Sequence, residues 1–242
     1  MNRPSKEQLD GCRAALVEAL GSAALKTDAD ALSDYGRDES DLGTTPADLV
    51  VLPRTTAEVS RVLKIAAEHR VPVTPCGARS GKSGGSMPVH GGVVLSVERM
   101  NAIKEISTED LVAVVEPGVV TGDLMKAVEA KGLFYPPDPN SWGWCTLGGN
   151  IAENAGGPRA LKYGVTREYV LGMEWVMPDG EVIRVGRRTI KGVAGYDLVG
   201  LLVGSEGTLG IATEITLQLL PLPREVQTAL LVFDDVGRRR GR

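Results

Sequence analysis

The spacing of apolar side chains predicts an amphipathic helix near the start of the chain. In residues 5–20 the apolar positions fall on one helical face. Ser5 and Gln8 have the spacing of a capping box, and Gly21 is a typical helix terminator. We expect this helix to pack on the outside of the structure that follows.

Apolar runs and a helical pattern then alternate and predict a β-α-β unit. Residues 49–52 and 71–74 are short apolar runs typical of buried strands. Between them, Thr55 and Glu58 form a second capping-box pattern, for a helix that extends to about His69. A helix in this position connects parallel strands, so we expect it to cover a parallel pair.

The remaining pattern predicts a second, strand-rich region. Thr121 is expected to cap a helix through Lys131, with Asp123 in its first turn. Residues 100–106 are expected to be a connection without regular structure. Strands are expected at residues 93–97, 111–116, 169–177, 181–185 and 211–220, with a hairpin turn at 178–180 and a weaker last strand at 226–233. The basic residues 236–242 predict a solvated tail.

Three segments lack both periodicities and are rich in glycine. They are the first (residues 75–86), second (136–158) and third (204–210) glycine segments. An irregular segment as long as the second is usually functional or disordered, and its Trp142 and Trp144 favour an ordered one. Backbone N–H groups that no side chain covers can bind a phosphate or diphosphate. Since each segment adjoins a strand, we expect one ligand that all three contact.

Composition excludes several classes of protein. A formal net charge of −4 and 4% aromatic residues argue against nucleic-acid binding. We find no signal peptide pattern and no apolar window that could span a bilayer. The chain has 3 cysteines and no C-x-x-C pair, which is typical of a reducing compartment, so a cytoplasmic protein is expected.

Other catalytic and nucleotide-binding motifs are weakly supported. Residues 77–83 end in Gly-Lys-Ser like a P-loop, but three residues separate the glycines instead of four. Gly84, Gly85 and Pro88 also oppose the helix that should start at Lys82, so a P-loop NTPase is a remote alternative. No G-x-G-x-x-G or G-x-S-x-G motif fits. The 2 histidines lack metal-ligand spacing, and no metal site is expected.

Taken together, the glycine segments resemble a known family. Their order and spacing, with Gly-Tyr-Asp-Leu at residues 195–198, are similar to the FAD-binding (PCMH-type) domain of the vanillyl-alcohol oxidase and p-cresol methylhydroxylase flavoproteins. The nearest branch resembles glycolate oxidase large flavin subunits, D-lactate dehydrogenases and 2-hydroxyglutarate dehydrogenases. The resemblance covers residues 42–222.

The resemblance implies an α/β (α+β) fold of two subdomains, an N-terminal β-α-β subdomain and a larger mixed-sheet subdomain. Residues 1–41 would be a helical extension, 42–222 the FAD-binding domain, and 223–242 the remnant of a cap domain's first strand with a basic tail. FAD would be held without a covalent bond. The implied chemistry is hydride transfer from a 2-hydroxy acid to the flavin.

Motif matching also implies which residues hold the cofactor. Arg79 and Tyr196 are weak candidates for catalysis on the substrate side. The implied cofactor-binding residues are Pro75, Cys76, Gly77, Ala78, Arg79, Ser80, Gly81, Ser83, Gly84, Pro137, Asp138, Ser141, Thr146, Leu147, Gly148, Gly149, Asn150, Ala152, Asn154, Glu206, Gly207, Gly210 and Ile211.

The sequence departs from the family pattern at its end. Relatives continue into a substrate-capping domain that supplies metal-binding and proton-accepting histidines, and this resemblance therefore implies a truncated gene product. The alternative is a non-catalytic FAD-binding subunit whose active-site cap comes from a partner chain. No nucleic-acid partner and no integral membrane segment are expected.

Overall fold

The computed structural model describes residues 3–230 and residue 232, and these residues form three sheets, of four, five and two strands, with helices around them. The elements of the N-terminal region are α1 (Lys6–Leu20), β1 (Leu25–Lys26), α2 (Ala29–Asp34), β2 (Leu49–Val51), α3 (Thr56–Glu68), β3 (Val73–Cys76) and β4 (Val93–Ser96). Those of the second region are β5 (Ile103–Ser107), β6 (Val112–Val115), α4 (Thr121–Glu129), β7 (Leu133–Phe134), α5 (Leu147–Glu153), α6 (Ala160–Tyr163), β8 (Val170–Val176), β9 (Val182–Gly186), α7 (Leu198–Leu202), β10 (Ile211–Gln218) and β11 (Leu220–Pro221).

The first sheet has the strand order β1-β2-β4-β3. Strands β2 and β3 are parallel to β4, which lies between them, and β1 is an antiparallel edge strand. The β-α-β unit was therefore predicted with the right direction, but its two strands are not neighbours. Helix α1 packs on α3, and its buried Cys12 and Leu16 join the core beneath this sheet.

The capping predictions were right for one helix and partly right for the other. Both hydrogen bonds of the Ser5–Gln8 capping box are present at α1. At α3, the Thr55 hydroxyl accepts from the N–H of Glu58, but the Glu58 carboxylate accepts from the N–H of Arg54. The reciprocal bond of a capping box is thus displaced by one residue.

The second sheet is antiparallel throughout, with the order β5-β6-β10-β8-β9. The mixed sheet is therefore the four-stranded first sheet and not, as predicted, that of the larger subdomain. Strand β5 lies in the segment predicted to be a connection. Its Lys104 and Glu105 are exposed because β5 is an edge strand with an irregular register, so the apolar alternation expected of a strand is missing.

Helix α5 begins inside the second glycine segment, where no helix was predicted. Two glycines disfavour a helix there, but Leu147 and Ile151 are almost completely buried in the core of the second sheet. Tertiary packing therefore outweighs the low helix propensity. The helix ends at Asn154, whose left-handed backbone conformation is typical of a residue that terminates a helix.

Thr121 does not cap α4, contrary to the prediction, because Val120 occupies the N-cap position. The Thr121 side chain is buried, and its hydroxyl accepts a 2.6 Å hydrogen bond from Nδ2 of Asn150 in α5. The same hydroxyl lies 3.3 Å from Sγ of Cys145. Thr121 therefore connects α4 to α5.

Two predictions concern the last residues. Within the predicted strand 226–233, residues 226–230 and 232 have no regular secondary structure, and residues 231 and 233 lie outside the described residues. The predicted solvated tail at 236–242 also lies outside them. The proposed division at residues 41 and 222 stays a prediction.

Replacing Thr121 by valine should destabilise the protein. Valine keeps the shape but leaves the buried amide of Asn150 without its acceptor, which typically costs about 1–3 kcal/mol. Thr121→Ser keeps the hydroxyl and should recover most of that loss. Urea unfolding measures both variants, and a larger loss in Thr121→Ser than in Thr121→Val would mean that the methyl group, and not the hydrogen bond, matters at this position.

Candidate functional site

A cavity of about 470 Å³ lies where the three glycine segments meet. The first segment follows β3, the second leads into α5, and the third precedes β10. The third segment also binds the end of α5 directly, because the N–H of Gly204 donates to the carbonyl of Ile151 and that of Glu206 to the carbonyl of Ala152. The expectation of a single site contacted by all three segments therefore agrees with the geometry.

Sixteen of the 23 residues predicted to bind a cofactor line this cavity. They are Pro75, Cys76, Gly77, Ala78, Arg79, Ser80, Gly81, Ser141, Gly148, Gly149, Asn150, Ala152, Glu206, Gly207, Gly210 and Ile211. The other seven, which do not line it, are Ser83, Gly84, Pro137, Asp138, Thr146, Leu147 and Asn154. Their assignment to a cofactor stays a prediction.

Further lining residues were not predicted. Trp175 and Ala212 come from paired positions on β8 and β10, and a strand pattern gives no signal for a cavity wall. Glu153 lies between Ala152 and Asn154, which were both predicted to bind the cofactor, but was not predicted itself. Asp38 comes from a part of the chain far from the glycine segments, so sequence spacing could not place it.

The glycines around the cavity fall into two groups. At Gly77, Gly207 and Gly210 an added Cβ would lie within 3 Å of another part of the protein, so the fold itself requires glycine. At Gly149 the nearest atom to an added Cβ is Oγ1 of Thr146, at 3.7 Å, and at Gly81 it is a Glu153 oxygen, also at 3.7 Å. The fold has room for a side chain at these two positions, and they leave open a space that a ligand can fill.

The first glycine segment offers a row of backbone donors to the cavity. Within the part of the chain that the structure describes, the N–H groups of residues 77–83 donate to no protein acceptor, whereas that of Gly84 donates to Asp38. No helix begins at Lys82, which removes the geometric basis of a P-loop. A loop of this kind can bind an anion through several N–H dipoles at once.

Two hydroxyl groups at the site have no hydrogen-bond partner among the described residues. Oγ of Ser86, which lines the cavity, and Oγ1 of the buried Thr146 are both inaccessible to solvent and unpaired. Buried hydroxyl groups are rarely left without a partner. Their orphaned state is consistent with a polar ligand that supplies the missing bonds.

Three carboxylates approach the first glycine segment: Asp38, Glu153 and Glu206. Burial, and then the negative charges of Glu206 and Asp38, raises the pKa of Glu153 above its ordinary value, against a weak hydrogen bond from Ser83. Among the described residues, no group of three or more His, Cys, Asp or Glu side chains is placed to hold a metal ion. The three carboxylates therefore give this side of the cavity an acidic edge.

The catalytic candidates lie in different environments. Arg79 lines the cavity, but its guanidinium forms a 3.0 Å ion pair with Asp34 and stacks on the ring of Tyr35 at 4.4 Å. Tyr196 is 96% exposed and lies at a separate cavity of about 420 Å³. His69 follows α3 and contacts Gly11, and neither it nor His90 lines the large cavity. The structure therefore brings only one of the two candidates to the site.

The cysteines are poor nucleophiles in this setting. Cys76 lines the cavity, and burial raises its pKa to about 11 despite the nearby positive charge of Arg79. Cys145 is buried beside Thr121 and does not line the cavity. Cys76 therefore stays a neutral thiol at ordinary pH, and Cys145 has no access to a ligand in the cavity.

Comparisons with known proteins agree with this site. Residues 47–186 match the family model of an FAD binding domain, which confirms the resemblance that the glycine segments indicated. The glycolate oxidase subunit GlcD of Bacillus subtilis (strain 168) is 51% identical over 202 residues, which are 84% of this chain and 43% of that protein. A D-lactate dehydrogenase of Anaerostipes hadrus is 42% identical over 204 residues, with the same two shares.

A solved structure has the same fold. Alkyldihydroxyacetonephosphate synthase superposes with a TM-score of 0.80 at 26% identity, over 93% of this chain and 42% of that chain. The likeness supports the two-subdomain architecture inferred from the sequence. This chain spans less than half the length of each of these relatives. In the described part of the chain, no helix is both long and apolar enough to cross a membrane.

Glu153→Gln should stabilise the protein at about pH 7. Since the folded-state pKa of Glu153 is raised above the ordinary 4.5, the folded state binds this proton more tightly than the unfolded chain does. The corresponding stability is present below about pH 4.5 and is lost as the pH rises through the folded-state pKa. Glutamine removes that loss, so the gain over wild type should shrink toward about pH 4.

Urea unfolding at several pH values measures this difference. Glu129→Gln, on the exposed face of α4, removes the same charge away from the cavity and is the matched control. A gain in Glu153→Gln that stayed constant down to about pH 4 would contradict the raised pKa.

Proposed function

Since the chain belongs to the FAD binding domain family, we propose that the large cavity holds FAD without a covalent bond. The observation that carries this proposal is the pair of open glycine positions, Gly81 and Gly149, beside a row of unpaired backbone donors. A diphosphate needs donors that no side chain hides, and a flat ring needs close approach to the backbone. The residues present therefore fit the cofactor.

In this proposal each wall of the cavity has its own task. The N–H groups of residues 77–83 would bind the diphosphate, and the unpaired hydroxyl of Ser86 would add a donor. Gly149 would let α5 approach the cofactor closely, while Trp175 and Ile211 would exclude water from the apolar side. Cys145 would form no covalent bond, because it points into the protein toward Thr121.

Gly149→Leu should abolish FAD binding while leaving the fold intact. Its side chain would project into space that the protein leaves free, since no protein atom lies within 3.7 Å of an added Cβ. We expect at least a tenfold loss of affinity, about 1.4 kcal/mol, from steric exclusion. Bound flavin is measured by its absorbance after acid precipitation, where a non-covalent cofactor stays in the supernatant.

Gly143→Leu is the matched control. An added Cβ at Gly143 also meets no atom within 4 Å, but this glycine does not line the cavity. It should therefore bind FAD like the wild type. Full flavin content in Gly149→Leu would show that the cofactor does not pass along α5, and yellow colour in the acid pellet would contradict non-covalent binding.

We further propose that the chain is the flavin-binding part of an oxidoreductase that oxidises a 2-hydroxy acid. Support comes from the names of the relatives, a glycolate oxidase subunit and a D-lactate dehydrogenase, because glycolate and D-lactate are both 2-hydroxy acids. Bound FAD would supply the acceptor for a hydride from the carbon that bears the hydroxyl group. The chain's own contribution would be to position the cofactor and exclude water on its protein side.

The proton of the substrate hydroxyl also needs an acceptor. Neither histidine lines the cavity, and the thiol of Cys76 has a pKa of about 11 and binds its own proton tightly. Of the cationic side chains that line the described cavity, Arg79 is paired with Asp34, which leaves Lys82 to attract a carboxylate. The carboxylates Asp38, Glu153 and Glu206 lie beside the first glycine segment, where the diphosphate would bind. We therefore propose that the base comes from other residues, on a cap supplied by a partner chain or by further sequence.

Residues 1–242 alone should therefore oxidise 2-hydroxy acids very slowly. A positioned general base typically contributes about 10²–10⁴-fold to the rate, and the orientation of the substrate contributes further. Anaerobic mixing of the FAD-loaded chain with glycolate, D-lactate or D-2-hydroxyglutarate, followed by flavin absorbance, measures this reaction. Rapid bleaching by any of the three would place the base within these residues.

A further inference from the structure

The segment of residues 34–42 contacts the first glycine segment at three points, and its Asp38 also lines the cavity. Asp34 pairs with Arg79 at 3.0 Å, and the N–H of Glu39 donates to the carbonyl of Gly81 at 3.0 Å. Oδ2 of Asp38 accepts from the N–H of Gly84 at 2.8 Å. The match to the FAD binding domain model begins only at residue 47, so this segment lies outside the matched residues.

Two of these contacts involve the residues of the first glycine segment that have an unfavourable backbone conformation. Arg79 and Gly84 have φ angles of 59° and 81°, in the left-handed region. That conformation costs a non-glycine residue roughly 1–2 kcal/mol. The side chain of Arg79 is held between the carboxylate of Asp34 and the ring of Tyr35, which is itself buried and bonded to Glu98 at 2.5 Å.

Asp38 makes hydrogen bonds both to Gly84, near the end of the first glycine segment, and to Ser40 in its own turn. Its Oδ2 binds Gly84, while its Oδ1 accepts from the N–H of Ser40 at 2.9 Å and from the Ser40 hydroxyl. The carboxylate therefore ties its own turn to the glycine segment. No comparable hydrogen bond fixes the N–H groups of residues 77–83 in the described structure, so they stay available for a ligand.

Charge alone does not account for an aspartate at this place. Glu153 and Glu206 already give the glycine segment an acidic edge, and a third carboxylate adds repulsion toward an anionic diphosphate. Asp38 repels an anionic ligand but accepts a hydrogen bond from the loop that would bind it. We therefore expect Asp38 to favour ligand binding by holding this loop in position. The sign of its effect on affinity distinguishes these two influences.

We propose that residues 34–42 form a clasp that holds the first glycine segment in its ligand-binding conformation, with Asp38 as the main positioning residue. This inference rests on the proposed function, because the ligand concerned is FAD. The clasp predicts that loss of Asp38 weakens FAD binding. Simple electrostatics predicts the opposite, since one negative charge near the diphosphate disappears.

The test compares the dissociation constant for FAD of the wild type with those of Asp38→Ala, Asp38→Asn and Asp30→Asn, by titration of the flavin-free protein. Asp38→Ala loses the acceptor and should bind FAD roughly tenfold more weakly, as expected for a hydrogen bond to a charged group. Asp38→Asn keeps an oxygen for Gly84 and should recover near wild-type affinity. Asp30→Asn removes a charge from an exposed position in the first turn of α2, four residues before the clasp begins, and should leave affinity unchanged.

A second variant keeps the test valid if Asp38→Ala does not fold. Asp34→Ala releases Arg79 at the other end of the clasp and should also weaken FAD binding, while circular dichroism reports whether the flavin-free fold is retained. Unchanged or tighter binding by folded Asp38→Ala, or equal losses in Asp38→Ala and Asp38→Asn, would overturn the clasp. If the wild type itself bound no FAD, the proposed function would fail instead.

Discussion

The segments around the cavity pack so closely that only glycine fits at their contacts, and the geometry of the site depends on that packing. A Cβ at Gly77 would lie 2.7 Å from Oγ1 of Thr146 and 3.4 Å from the backbone nitrogen of Gly149. A Cβ at Gly207 would lie 2.9 Å from the side chain of Pro75. Because these contacts leave no room for a Cβ, the loop after β3, the start of α5 and the turn before β10 form one block, although they connect to different sheets.

The first and second sheets meet at the start of β10, and this junction holds the block in place. Strand β10 is hydrogen-bonded to both β6 and β8, and its first residue, Ile211, is buried in the core of the first sheet together with Val176 of β8. The hydrogen bond from Nε1 of Trp175 to the carbonyl of Leu209 fixes the turn that leads into β10. The cavity thus lies where the two cores meet, and neither sheet alone could form it.

The sequence predicted what is encoded locally. The Ser5–Gln8 capping box and the hairpin between β8 and β9 depend on residues a few positions apart, and both are confirmed. The glycine segments could be recognised because a backbone that approaches a ligand needs residues without side chains. Helix α5 was missed because its stability comes from burying Leu147 and Ile151, which outweighs the helix propensity of Gly148 and Gly149.

Long-range contacts escaped prediction for a different reason. The order of strands in the first sheet, the edge strand β5 and the approach of Asp38 to the glycine segment all depend on how distant parts of the chain pack. No spacing in the sequence reports such neighbours. The partners of Arg79, a weak candidate for catalysis on the substrate side, were equally hidden, because Asp34 and Tyr35 lie far from it in the sequence.

The same packing explains how an acidic cavity can suit an anionic ligand. Asp38, Glu153 and Glu206 oppose a diphosphate, and the guanidinium of Arg79 is already neutralised by Asp34. Apart from the ammonium group of Lys82, attraction must therefore come from fixed backbone dipoles, whose effect falls off steeply unless each N–H points at the ligand. Binding then depends on the conformation of residues 77–83 more than on net charge. A loop of this kind needs support from the rest of the chain, and in the proposed clasp that support comes from the contacts of Asp34 and Asp38 with Arg79 and Gly84.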